Sequence, residues 1–195
     1  MPFVVVYDAN ALYGNAQRDL LIRIAQSGLV QAKWTEQILD EMFSNLGKRR
    51  PDIPADRLSI LRERMNMAVR DCLVTGYEPL IESLRLPDLD DRHVLAVAIK
   101  SSAQVIVTTN LKDFPEAELG QWTVEAKSPD DFVLDQIHID ARIVWRGRLR
   151  RFRCRGGEQA DQRAGQRDVG RHQEGGAEGP ADLYRGGLQL AGHWT

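Results

Sequence analysis

Two short runs of β-branched apolar residues stand out along the chain, and each ends in polar residues. The first run, Val4–Val6, continues through Tyr7 and stops at Asp8. The second run covers residues 105–109 and leads into Asn110. Uninterrupted apolar runs of this length, each beside a helical pattern, are typical of strands that are buried on both faces of a parallel sheet.

Apolar residues at helical spacing fill most of the sequence between and after these two runs. Thr35 is expected to cap the second predicted helix, and Gly47 is expected to end it. Strands that alternate with helices predict an α/β fold with a central parallel sheet and right-handed crossovers. The predicted helices cover 17–27, 36–46, a stretch from Pro54, a stretch around 94–99 and a stretch from Pro129, with short extended segments at 29–32 and 123–126.

Charge and glycine content divide the chain near residue 140. Residues 1–140 carry 15 basic and 22 acidic side chains, whereas residues 141–195 carry 11 basic and 6 acidic ones, and every base there is Arg. The second part also holds 11 of the 16 glycines. We therefore predict a folded domain over 1–140 and a disordered, low-complexity Arg/Gly-rich tail over 141–195.

The tail is open to two interpretations. An Arg/Gly-rich segment is typical of an RNA-binding arm. A GC-rich coding region translated out of frame would also give Arg, Gly, Ala and Gln without Lys, and the tail has no Lys. We favour the second hypothesis, in which residues 146–195 replace the native C-terminal helices, and translating the gene in its other two frames tests it.

Cysteine content and hydropathy exclude several classes of protein. The two cysteines, Cys72 and Cys154, lack CxxC spacing, which argues against a zinc site or a disulfide framework and indicates a reducing compartment. No stretch approaches the roughly 20 apolar residues of a membrane span. The first apolar run is too short for a signal peptide and has no basic segment before it. We expect a cytoplasmic protein without a membrane partner.

Four acids lie near the boundaries of the predicted elements: Asp8, Glu41, Asp91 and Asp113. Carboxylates that meet at one sheet edge raise each other's pKa unless a cation neutralises them. Oxygen ligands without His or Cys favour Mg²⁺ or Mn²⁺ over zinc. Such an ion lowers the pKa of a bound water and binds a phosphate oxygen. The pattern therefore indicates a metal-dependent nuclease.

Each of these residues also has an ordinary structural explanation. Asp8 and Asp113 would serve as turn residues, and Asp91 would serve as a helix cap. Glu41 would be a solvated acid on its helix. We interpret His93 as a surface or packed histidine of the following helix. Spacing alone leaves both explanations open.

Three motifs, taken in order, resemble those of the PIN-domain family: Val5–Asn10, Asp91–Ala98 and Val107–Phe114. The resemblance extends over about residues 3–137. More narrowly, the motifs resemble those of the VapC-like toxin ribonucleases of bacterial toxin–antitoxin pairs. It implies a three-layer α/β/α domain that cleaves RNA with Mg²⁺ or Mn²⁺ held by three or four acids.

The same resemblance implies roles for individual residues. Many relatives have an acid where Asn110 stands, so a second metal site would be weaker here. The implied catalytic and metal-binding acids are Asp8, Glu41, Asp91 and Asp113, and the implied supporting residues are Asn10, Thr109, Asn110 and Asp90.

Partners follow from the resemblance and from one basic run. The resemblance implies an RNA substrate, an antitoxin protein that blocks the acidic groove, and a homodimer. Lys48, Arg49 and Arg50 follow the Glu41 helix and are candidates for phosphate contacts. A solvated helix end is the ordinary explanation for such a run.

Other functions compete with the ribonuclease hypothesis. A non-catalytic RNA- or protein-binding module would bind without metal-dependent cleavage. A metal-dependent DNA nuclease would prefer DNA to RNA. A receiver domain also collects acids at strand ends, but it needs a Lys after a late strand, and Lys112 fits that requirement poorly.

Overall fold

The computed structural model describes residues 3–140, and the predicted tail over 141–195 lies outside this range. The sheet has four parallel strands in the order β2-β1-β3-β4. Helices flank this sheet, so the predicted α/β fold is confirmed, while the boundary at residue 140 stays a prediction. The strands are β1 (Phe3–Tyr7), β2 (Val30–Lys33), β3 (Val105–Val107) and β4 (Glu125–Lys127).

Eight helices cover most of the remaining described residues. The last of them is helical through residue 140, where the description ends. None of the helices in the described range combines the length and the apolar character that crossing a bilayer requires. The helices are α1 (Ala9–Tyr13), α2 (Asn15–Gln26), α3 (Glu36–Arg49), α4 (Ala55–Ala68), α5 (Glu78–Ile81), α6 (Arg92–Ser101), α7 (Glu116–Leu119) and α8 (129–140), with 3-10 turns at Leu111–Asp113 and Gly120–Trp122.

The strand register brings the ends of the two predicted apolar runs side by side. Val5 pairs with Val105, and Tyr7 pairs with Val107. The backbone N–H of Asp8 then donates to the carbonyl oxygen of Val107 at 3.1 Å, so the ladder continues one residue past β1. Polar residues that follow either strand therefore meet at one carboxyl edge, where ligands bind in open α/β sheets.

Aromatic side chains fill the core beneath this edge. Tyr7 is fully buried, stacks on Trp34 with ring centroids 6.3 Å apart and meets Phe132 edge-on at 5.9 Å. Its hydroxyl donates to the carbonyl oxygen of Leu21 at 3.1 Å. The Trp34 indole N–H donates to Asn66 at 2.9 Å. Each buried polar atom of the cluster thus has a partner, which fixes the orientation of the rings.

One helix end predicted from the sequence is wrong. Gly47 lies inside α3, which continues to Arg49. A glycine within a helix costs only about 1 kcal/mol relative to alanine. Lys48 and Arg49 occupy the last turn, where positive charge interacts favourably with the helix dipole. The extension matters because it carries Arg49 along the same helix as Glu41.

Smaller differences concern the other element boundaries. The short helix α1 was not predicted; it begins because the Asp8 side chain accepts the backbone N–H of Ala9. Pro54 is the N-cap of α4 rather than its first residue. Met65 is the buried residue of α4, and Cys72, although buried, lies beyond the helix.

Candidate active site

Asp8 is the most enclosed acid of the site, at 3% exposed. One of its oxygens accepts the backbone N–H of Ala9 at 2.6 Å. The other oxygen accepts the side-chain amide of Asn10 at 2.6 Å and the hydroxyl of Thr108 at 2.8 Å. Burial raises the pKa of Asp8, and these hydrogen bonds oppose that rise because they favour the charged form.

Asn10 and Thr108 link the ends of β1 and β3. The Asn10 side-chain oxygen accepts the backbone N–H of Thr109 at 2.8 Å, and the Thr108 hydroxyl oxygen accepts the backbone N–H of Asn110 at 3.0 Å. Thr109 thus contributes its backbone N–H, whereas the hydroxyl that contacts Asp8 belongs to Thr108. Sequence reasoning missed Thr108, although its position at the polar end of the second run was the available indication.

A cavity of about 460 Å³ opens above this network. It brings together three of the predicted acids, which come from the end of β1, the middle of α3 and the start of α6. Asp113 does not line it. The lining residues are Asp8, Ala9, Asn10, Tyr13, Glu41, Asn45, Arg49, Asp91 and Thr109.

Glu41 faces a buried histidine across the cavity wall. His93 is 3% exposed, and its Nε2 lies 3.4 Å from Oε1 of Glu41. Its Nδ1 lies 2.6 Å from the backbone carbonyl oxygen of Asp90, so that nitrogen carries the proton and donates. Burial and the negative charge of Asp8 raise the pKa of Glu41, whereas His93 lowers it. Asp90 thus contributes a carbonyl oxygen that holds His93.

A second group of acids adjoins the cavity at Asp91. Carboxylate oxygens of Asp88, Asp91 and Asp113 lie within 4.8 Å of one another. Asn110 donates its side-chain amide to Asp113, which ties this acid to the edge of β3. Asp88 was not among the predicted site residues.

Asp91 lies in an environment that disfavours its charged form. Burial, together with the charges of Asp8, Asp88 and neighbouring acids, raises its pKa to about 7. Its Oδ2 is buried without a hydrogen-bond partner among the described residues. A buried carboxylate oxygen without a donor, in a site whose ligands are all carboxylates, fits a hard divalent cation such as Mg²⁺ or Mn²⁺.

The three basic residues Lys48, Arg49 and Arg50 differ in their contacts. Arg49 lines the cavity, and its guanidinium carbon lies 5.5 Å from the centroid of the Tyr13 ring. Arg50 instead pairs with Asp52 at 2.7 Å, and both side chains are more than half exposed. Lys48 is exposed and is not part of the cavity lining.

Sequence comparisons agree with this geometry. A stretch of 64 residues is 48% identical to "Putative ribonuclease VapC50" of Mycobacterium tuberculosis (strain ATCC 25618 / H37Rv), which is 33% of this chain and 37% of that protein. The chain thus matches little more than a third of that relative's length. No solved structure matched the chain significantly.

The family assignment covers more of the chain than this single relative does. The model of the PIN domain family matches residues 4–112, more than half of the sequence. That span contains all the residues that line the cavity. The chain therefore belongs to the PIN domain family.

Proposed function

We propose that this protein is an endoribonuclease that depends on Mg²⁺ or Mn²⁺. One observation carries the proposal: Asp8, Glu41 and Asp91 lie far apart in the sequence, yet they line one cavity at the carboxyl edge of the sheet. Membership of the PIN domain family and the similarity to a protein named as a ribonuclease support the assignment.

Three of the acids would hold a cation from inside the cavity, and two more lie beside the cavity. Asp8, Glu41 and Asp91 would bind from within, while Asp88 and Asp113 would complete the site around Asp91. A divalent cation in such a site neutralises phosphate charge and lowers the pKa of a water molecule. The unpaired Oδ2 of Asp91 is the atom that gains most from such a ligand.

The protein's own groups have separate tasks in phosphodiester hydrolysis. Three hydrogen bonds hold the Asp8 carboxylate in one orientation. Glu41, half exposed on the cavity wall, would accept a proton from the attacking water. His93 Nε2 lies 3.4 Å from the Glu41 carboxylate without a hydrogen bond to a described residue.

The first test is cleavage of a panel of single-stranded RNAs by the full chain, with Mg²⁺, with Mn²⁺ and with EDTA. We expect cleavage only with metal, and a loss of at least about 100-fold in the Asp8→Asn variant because one ligand charge is removed. Asp52→Asn, which alters an exposed acid outside the cavity, should keep full activity.

The outcomes separate the competing functions. Equal cleavage by Asp8→Asn and wild type would reject the assignment. Metal-dependent cutting of DNA in preference to RNA would identify a DNA nuclease. RNA or protein binding without cleavage would identify a non-catalytic module.

We also propose that the nuclease is the toxin of a type II toxin–antitoxin pair, with an antitoxin that covers the cavity, and that it forms a homodimer. The similarity to a VapC-named protein over a third of the chain supports the toxin role. Expression should arrest bacterial growth in wild type but not in Asp8→Asn. Light scattering of the purified protein measures the oligomeric state.

A further inference from the structure

One cationic side chain shares the cavity with three acids. Glu41, Asn45 and Arg49 follow one another at intervals of four residues along α3, and all three line the cavity. Residues at this spacing lie on the same helix face. Because α3 continues through Gly47, a single helix face carries both the acidic site and Arg49.

Arg49 lies over the ring of a residue whose backbone is tied to the neighbouring helix α2. Its guanidinium lies over the ring of Tyr13 at 5.5 Å, within the range of a cation–π interaction. Tyr13 ends α1, where Nη1 of the buried Arg18 donates to the carbonyl oxygens of Leu12 at 2.9 Å and Tyr13 at 3.1 Å. The stacking partner of Arg49 is therefore part of the rigid scaffold.

The donors of Arg49 are free, unlike those of the next residue. Arg49 makes no hydrogen bond or ion pair with the residues that the structure describes. Arg50 uses two donors on Asp52, at 2.8 Å and 2.7 Å. A guanidinium presents five donors in a planar fork that matches a phosphate. A free, stacked guanidinium on the wall of an acidic cavity is suited to an anionic ligand.

We propose that Arg49, stacked on Tyr13, binds an RNA phosphate next to the scissile one; this subsite rests on the proposed ribonuclease function. Eight residues of helix separate Glu41 from Arg49, a rise of about 12 Å. The backbone of Arg49 is therefore displaced along the helix from that of Glu41, which favours a phosphate other than the scissile one. The positive charge also offsets the repulsion between the RNA backbone and the acids of the cavity.

The test compares Arg49→Ala with Arg50→Ala, which removes the same charge from the adjacent position. Binding of a short fluorescent single-stranded RNA is measured by anisotropy in the Asp8→Asn background, at several salt concentrations. We expect Arg49→Ala to weaken binding about tenfold and to reduce the slope of log Kd against log salt by about 0.7, the contribution of one phosphate on a single strand. Arg50→Ala should change Kd less than twofold.

Two further variants separate charge from stacking. Arg49→Lys keeps the charge but loses the planar fork. The slope of log Kd against log salt should therefore match that of wild type, while the affinity should recover only in part. Tyr13→Leu removes the ring without changing the charge, so Kd should rise while the salt slope stays as in wild type. Circular dichroism and thermal melting check that each variant is folded.

The results also separate this subsite from the proposed activity. Equal effects of Arg49→Ala and Arg50→Ala on RNA binding would overturn the subsite, even if wild type cleaves RNA; Arg49 would then serve another ligand, such as a carboxylate of a protein partner. A tenfold loss confined to Arg49→Ala, in a wild type that cleaves no RNA, would support phosphate binding by Arg49 but reject the nuclease, and with it a position next to a scissile phosphate.

Discussion

Asp8 and Asp91 line the same cavity but differ in what surrounds their oxygens. Asp8 is buried among three hydrogen-bond donors, which stabilise its charge. Asp91 has a buried oxygen without a donor and is surrounded by other acids. Burial thus raises the pKa of both carboxylates, but only Asp8 has hydrogen bonds that oppose the rise.

Replacing Asp91 should stabilise the metal-free protein at high pH. Because the pKa of Asp91 is raised to about 7, the folded state binds its proton more tightly than the unfolded state does. Stability therefore falls as the pH rises from about 4 through 7. In EDTA at pH 8, the free energy of unfolding of Asp91→Asn should exceed that of wild type by roughly 1 kcal/mol. Partial solvent screening of Asp91 keeps this difference small.

Urea unfolding at pH 5 and pH 8 measures this difference. The gain should be smaller at pH 5, where Asp91 of the folded wild type is already protonated. An equal gain at both pH values would show that charge repulsion is not its cause. Asp52→Asn serves as the control, since Asp52 lies outside the cavity.

Thr108 should contribute to stability through the hydrogen bond to Asp8. Thr108→Val keeps the shape of the side chain but removes the hydroxyl that donates at 2.8 Å. Loss of a buried bond to a charged acceptor costs about 1.5–3 kcal/mol. We expect chemical denaturation to show such a decrease, whereas Thr109→Val, at an exposed neighbour, should change stability by less than about 0.5 kcal/mol. Similar values for both variants would contradict the assignment to Thr108.

At the scale of elements, α3 connects the acidic site with the proposed phosphate subsite. Thr35 caps its first turn by accepting the backbone N–H of Ile38 at 3.1 Å. Its C-terminal half contains Gly47, a residue that normally weakens a helix. The helix persists to Arg49, and with it the alignment of Glu41 and Arg49.

Gly47→Ala should stabilise the protein by about 0.5–1 kcal/mol, because alanine has the higher helix propensity. A Cβ atom at this position meets Leu58 at 3.7 Å, an ordinary van der Waals contact. Gly28→Ala is the matched control, since the φ of Gly28 is +83° and an alanine there is strained. Denaturant titrations should give opposite signs for the two variants, and destabilisation by Gly47→Ala would show that α3 tolerates no side chain there.

At the scale of the whole molecule, the fold needs residues beyond the PIN domain match. That match ends at residue 112, yet β4 completes the sheet and Phe132 of α8 packs against Tyr7. Tyr7 directly precedes Asp8, so the packing of α8 bears on the base of the cavity.

Phe132→Ala should therefore lower the free energy of unfolding by about 3–5 kcal/mol, the usual cost of removing a buried Phe. Leu134→Ala, on the same helix but 51% exposed, should cost far less. Thermal and chemical denaturation of both variants give the comparison. Equal losses would mean that α8 does not contribute to the core through Phe132.

The linear pattern was sufficient for features that depend on local chemistry. Two apolar β-branched runs predicted the central strands β1 and β3, and Thr35 predicted the start of α3. The parallel α/β architecture followed, because buried strands that alternate with helices have few other arrangements. The candidate acids Asp8, Glu41 and Asp91 were also named from the sequence.

Tertiary structure alone decided which of these residues meet. Thr108 contacts Asp8 because β3 pairs with β1, and Asp88 reaches Asp91 and Asp113 through the loop before α6. Gly47 stays helical although its local propensity favours a helix end. Distances between residues far apart in sequence depend on strand order and packing, which a one-dimensional pattern does not contain. The shared cavity and the place of Arg49 on its wall therefore became visible only in the folded chain.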